Sequence, residues 1–184
     1  MPCLATSGRP AGTGCIGANA AGLNELRSWL VNRSEITFDA VSATTGISAG
    51  FTMTGAATVF PYAFDQRNYK FNETMTTDQS TGAQTHKPVI TGRFIGLSGK
   101  NSADVERLKN INAVWIVEEG GGKFIVVGRS AGIGLDTNSA GSDAAELGEL
   151  VTLSTSESAP EKVKYCELLD TDAATTLAAL IAAE

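Results

Sequence analysis

The sequence predicts a mainly β protein, a sandwich or barrel with one short mid-chain helix, a long hairpin arm and a helical C-terminal segment. Three observations carry that expectation. Apolar and polar residues alternate with a period of two in several stretches, as they do in a strand with one buried face. Two pairs of such stretches flank Gly-rich or polar turns, which is the pattern of a hairpin. Only two segments have helical character, so strands do not alternate with helices as a doubly wound sheet requires.

Residues 1–22 are rich in Gly, Ala and Pro and read as an irregular arm. Residues 23–31 carry Leu23, Leu26, Trp29, Leu30 and Val31, a spacing compatible with a short helix or with a strand apolar on both faces. Residues 35–41 alternate and predict a strand; residues 47–54, rich in Gly and Thr, predict another. In residues 69–75 the odd positions hold Tyr69, Phe71 and Met75, and the even ones Lys70, Asn72 and Thr74. A polar stretch centred on Ser80 and Gly82 follows, and then a second strand carries Val89, Ile90, Phe94 and Ile95. Residues 68–97 therefore predict one long hairpin with a polar, mobile tip.

Residues 102–112 predict the mid-chain helix, with Asn101 or Ser102 as N-cap and Val105, Leu108 and Ile111 on one face. Residues 114–117 and 123–127, around Gly120-Gly121-Gly122, predict a second hairpin, apolar on both faces and so central to the core. Residues 149–153 and 163–168 predict further strands. Residues 171–183 predict a terminal helix capped by Asp170 or Thr171. The domain organisation expected is an arm over 1–22, one β-domain over 23–168 and a helical segment over 169–184.

Composition bounds the function. The chain is 184 residues long, enough to bury roughly 70% of its unfolded surface without disulfides or metal. Its net charge of −6 and the lack of a basic stripe argue against a conventional nucleic-acid grip. No apolar run approaches the ~18 residues of a membrane span. The opening residues lack the basic start and apolar core of a signal peptide. Cys3, Cys15 and Cys166 fit no metal or redox spacing and read as ordinary thiols, with a Cys3–Cys15 bridge left open. From Ser130 onward, ten acidic residues face only Lys162 and Lys164, a local charge of −8. Such a segment reads first as solvated surface and second as a face from which DNA slides away.

Motifs with a chemical look lack their context. Gly12, Gly14 and Gly17 match the dinucleotide fingerprint, but no strand precedes them. Two segments match G-x-S-x-G, with Ser48 and Ser130 at the nucleophile position. No histidine follows Ser130; Ser48 is followed by His86, with Asp65 and Asp78 between, but no helix flanks it. His86, the only histidine, reads as a solvated loop residue. Gly99-Lys100 lacks the rest of a phosphate loop, and Trp29 and Trp115 read as core anchors. The expectation is no enzyme, no catalytic residue, no cofactor and no metal.

The order of elements resembles the tail tube (major tail) proteins of long-tailed bacteriophages, particularly those of phages infecting Bacteroidetes-type hosts. The resemblance runs through the arm with Cys3, Gly8, Arg9, Gly14, Cys15 and Gly17, then the hairpin with its Phe71-Asn72-Glu73-Thr74 element and Gly82 tip. It continues through the helix near 104–110, the Trp115–Glu118 and Gly122–Gly128 hairpin, the segment with Gly141, Leu147, Gly148, Glu149, Thr152 and Leu153, and a strand ending near Tyr165. Residues 171–184 have no place in that pattern. The resemblance implies a sandwich whose copies join in hexameric rings, with sheets merging into an inner barrel and rings stacking through arms and the long hairpin. It implies a virion location in the tail after assembly in the host cytoplasm, with further copies and other tail proteins as partners. DNA would pass through the lumen without specific binding, and no membrane is involved. A tail terminator or neck ring protein, a β-sandwich surface-binding module and a small hydrolase using Ser48 and His86 are the alternatives.

Overall fold

The fold is mainly β. A computed structural model describes residues 26–54, 57–64, 69–95, 99–109, 111–119, 123–141, 148–156, 160–169 and 172–184. The expected arm over 1–22, with the Gly12–Gly17 motif, Cys3 and Cys15, lies outside the described residues, as do Asp65 and the turn glycines 120–122.

A six-stranded sheet forms the centre. It contains β1 (Leu26–Asn32), β3 (Ile47–Ser48), β5 (Phe60–Phe64), β8 (Ala113–Glu119), β9 (Lys123–Val127) and β12 (Cys166–Leu168) in the order β3-β12-β9-β8-β1-β5. All neighbours are antiparallel except β3, which runs parallel to β12. The continuous apolar run of β8 is explained by burial on both faces: Ala113, Trp115 and Val117 enter one core, Val114 and Ile116 the other. β1 divides likewise, with Leu30 on the first side and Trp29 and Val31 on the second. The second hairpin, β8–β9, is thus central as expected, and the described part of residues 23–31, from Leu26 on, is a strand.

The first core lies between this sheet and a four-stranded antiparallel sheet in the order β10-β11-β7-β6. Its strands are β6 (Lys70–Thr77), β7 (Gln84–Ile95), β10 (Gly134–Gly141) and β11 (Gly148–Ser154). Phe94, Phe64 and Trp115 stack through this core with successive centroids 5.0 Å apart. Gly92 is the space that admits the stack, since a Cβ there would sit 2.5 Å from the Phe64 ring. Helix α1 (Gly99–Leu108) closes one end with Val105 and Leu108. It begins earlier than expected, and Asn101 and Ser102 lie inside it rather than at its cap.

The second core is covered by a small ribbon and a helix. The ribbon is β2 (Ile36–Phe38) paired with β4 (Phe51–Met53), which contributes Ile36, Phe38, Phe51 and Met53. The single strand expected over 47–54 is broken into β3 and β4, which join different sheets. The helix is α2 (Ala173–Ala182), which buries Leu180 completely. Its cap is Asp172, whose carboxylate accepts the Thr175 N–H at 2.7 Å, not Asp170 or Thr171. The hydrogen bond from the Thr175 backbone also holds the Asp172 carboxyl below its ordinary pKa. The helix end is pinned where Trp29 Nε1 donates to Glu184 Oε1 at 2.9 Å.

Candidate assembly surface

β7 is longer than either neighbour. Its residues from Val89 to Ile95 pair with β11, whereas Gln84 to Pro88 pair with β6 and, on the other side, only through a single bridge from His86 to Glu161. Beyond His86 the hairpin runs on as an exposed two-stranded arm. Its tip is knitted rather than loose. Asp78 Oδ1 accepts from the Ser80 N–H and hydroxyl at 2.8 and 2.7 Å, and Oδ2 accepts from the Thr81 hydroxyl at 2.8 Å. Those bonds, led by the Ser80 side chain, hold the Asp78 carboxyl down at about 2. Gly82 takes the left-handed conformation (φ +70°) that the turn needs.

The root of the arm is held from inside by a strap, residues 160–165. His86 N–H donates to the Glu161 carbonyl at 2.8 Å, and the Tyr165 N–H donates to Glu73 Oε1 at 3.1 Å. The Tyr165 ring meets Phe71 edge-on, with centroids 5.3 Å apart. His86 is consequently buried (7% exposed), with Nδ1 3.7 Å from Glu73 Oε2, and is not the solvated loop residue expected. What buries it is a segment that lies some 75 positions later in the chain.

The anchor of the strap is the Glu161 carboxylate, itself 1% exposed. One oxygen accepts the Ser130 N–H at 2.7 Å and the other the Ala131 N–H at 2.9 Å. Lys162 N–H donates back to the Ser130 hydroxyl at 3.0 Å. Gly128 and Gly132 bracket this turn at φ +80° and +78°. The second G-x-S-x-G segment is therefore a backbone nest for a carboxylate, and Ser130 is part of the clasp. Sequence reasoning missed Glu161 because it reads as one acid among ten; the paired glycines were the available signal.

The other singled-out residues do not converge. Ser48 is fully buried in β3 of the six-stranded sheet, its hydroxyl 3.1 Å from the Asp39 and Gly50 carbonyls, whereas His86 belongs to the four-stranded sheet and Asp78 to the arm tip. Cys166 is buried against Leu168 and Val126, and burial pushes its thiol pKa up. A groove of about 190 Å³ lies between β1, β5 and the end of α2, lined by Trp29, Tyr62 and Ile181 among others. It is smaller than the ~300 Å³ at which small-molecule sites begin. Among the described residues no cluster of His, Cys, Asp and Glu could hold a metal ion, and no helix is long and apolar enough to cross a membrane.

What remains open is surface of another kind. β6 and β10 are the edges of the four-stranded sheet, and most of their residues are exposed. The face of that sheet away from the core carries Thr74, Thr76, Thr91, Thr137 and Thr152 in adjacent strands. Met75, on the inner side of the arm, and Val163 and Tyr165, on the strap beside it, are exposed large apolar residues. The acidic last third is not one solvated face, since Glu149 and Glu161 are buried. Searches of protein-family models, curated proteins and solved structures give no match to the chain.

Proposed function

We propose that the chain is a structural subunit of a bacteriophage tail tube, whose copies join into hexameric rings that stack around a channel for DNA. The observation that carries this reading is the four-stranded sheet, whose two edge strands β6 and β10 have no further strand partner among the described residues. An open edge is a row of unpaired N–H and C=O groups that a protein must cover, blunt or use. Pairing β6 of one copy with β10 of the next uses both edges at once, and head-to-tail repetition that closes makes a ring. The outer face then becomes the channel wall. The arm supports stacking: it is exposed, has a knitted tip, and presents Met75 beside Val163 and Tyr165 for a neighbouring ring. No catalytic residue is needed for any of this, and assembly would take place in the host cytoplasm before the tail joins the virion.

The test is negative-stain electron microscopy of the purified chain over a range of concentrations. Six-fold rings or stacked tubes with a central channel are the expected result. A monomer that persists at high concentration, even with a tail-tip complex supplied as initiator, would overturn the proposal.

A further inference from the structure

Each edge of the four-stranded sheet carries one unengaged charge, and the two are opposite in sign. The charged residues of β6 are Lys70 and Glu73. The Glu73 side chain is 7% exposed and is occupied by the Tyr165 N–H and by His86. Lys70 is exposed and has no ion-pair partner among the described residues. The only charged residue of β10 is Asp136, which is likewise exposed and unpaired among the described residues. Register places the two at one level of the sheet. Lys70 stands beside Thr91, Thr91 beside Thr152 and Thr152 beside Thr137, and Asp136 is the bulge residue next to Thr137. Three strand spacings put the two edges about 14 Å apart, so the charges cannot meet within one copy.

Strand direction is the second observation. β10, β11, β7 and β6 alternate in direction. An even-stranded antiparallel sheet repeated by rotation sets β6 of one copy antiparallel to β10 of the next, one strand spacing of about 4.8 Å away. Opposite charges across such a pair of strands attract, and like charges repel. Joining two β6 edges, or two β10 edges, offers each of these charges only its own sign.

We infer that Lys70 of one copy pairs with Asp136 of the next, and that this pair selects which edges join. The inference rests on the edge-to-edge joining of the tube reading and names the residues that make it head-to-tail. The long Lys70 stem reaches Asp136 at the level register or one two-residue step away, a slip of about 7 Å. A one-residue slip is excluded because it would turn the joined strand to the wrong face. A lysine and a bulge are also devices that keep foreign strands off an edge; the opposite charge is what admits β10 and no other strand. An exposed pair adds little affinity, and its effect is on which surfaces meet.

The experiment follows the full chain by sedimentation velocity over a range of concentrations, with negative-stain microscopy of the assemblies. Lys70→Glu alone, or Asp136→Lys alone, sets like charges face to face, and the concentration needed for assembly should rise more than about tenfold. Lys70→Gln only removes the pair and should raise it by no more than about fivefold. An equimolar mixture of the two charge-reversed chains should assemble within about threefold of the wild-type concentration. Alternating copies then have an opposite pair at every contact, since the new Glu meets the new Lys and Lys70 meets Asp136. A ring of six admits such alternation. The double variant should assemble alone in the same way. Far-UV circular dichroism and the urea midpoint show that each variant is folded. Either charge-reversed chain assembling like wild type overturns the inference, as does failure of both the mixture and the double variant with folded chains. So does easier assembly of Lys70→Gln, since Lys70 would then be a guard on the edge. Unchanged rings in the charge-reversed chains leave the tube reading standing. A wild-type chain that stays monomeric, even with a tail-tip complex supplied, removes both.

Discussion

Replacing Glu161 with Ala should destabilise the protein far more than a surface carboxylate would. Its two oxygens accept the Ser130 and Ala131 amides at 2.7 and 2.9 Å, and its side chain is almost wholly buried. A hydrogen bond to a charged partner contributes about 1.5–3 kcal/mol. Two would give about 3–6 kcal/mol, but Ser130 is exposed and Ala131 half-buried, so water can reach part of what is vacated. About 3 kcal/mol is the expected loss. With a urea slope of about 2 kcal/mol/M, the midpoint should fall by about 1.5 M. The melting temperature should fall by about 6–12 °C for a domain of this size. Trp29 and Trp115, both buried, report unfolding by fluorescence. Glu161→Gln keeps one acceptor oxygen and should lose about half as much. A midpoint shift below about 0.3 M for Glu161→Ala would refute the clasp as a stabilising element. An unaffected Gln variant beside a damaged Ala variant would assign the loss to packing instead.

Three further outcomes follow from other parts of the fold. Gly92→Ala drives a methyl to 2.5 Å from the Phe64 ring in the Phe94–Phe64–Trp115 stack, and should cost about 1–3 kcal/mol by urea unfolding; wild-type stability would show that the stack yields. Asp78, held at about 2 against an ordinary 3.8, favours the folded tip as a carboxylate, so its contribution is complete above pH ~4 and is lost as pH falls through about 2; a carboxyl carbon titrating near 4 by NMR would contradict the tip geometry. Cys166, buried and with its thiol pKa raised, should resist alkylation at pH 8 until the chain is unfolded, as read by peptide mass mapping; rapid native modification would place it at the surface.

The two hairpins were legible because their cause is local: an alternating strand beside the Asp78 turn in one, and unbroken apolar runs either side of a Gly-rich stretch in the other. β5 was not, since Pro61 in Phe60–Phe64 argues against a strand unless the strand is an edge, and edge position is decided by partners far away. β10 was missed for the same reason, being a polar Gly-, Ser- and Asn-containing edge with no buried stripe to detect. The strand expected over 163–168 shortened to Cys166–Leu168 because 160–165 serves as the strap. His86 was misread because its neighbours in sequence are polar while its neighbours in space are Glu73 and the strap.

The order of strands also sets when the four-stranded sheet can be completed. β11 sits between β7 and β10, so the four-stranded sheet has no second edge until residue 154 has been synthesised. β1 can pair early with β5, where Leu30 stands level with Phe60, but its other side waits for β8 and Trp115. Pairings this distant make folding slow and keep it incomplete while the chain is still on the ribosome. Nascent chains crowded on one messenger thus cannot offer one another a finished edge. If copies join edge to edge as proposed, the interleaved topology postpones that joining until translation of the sandwich is over.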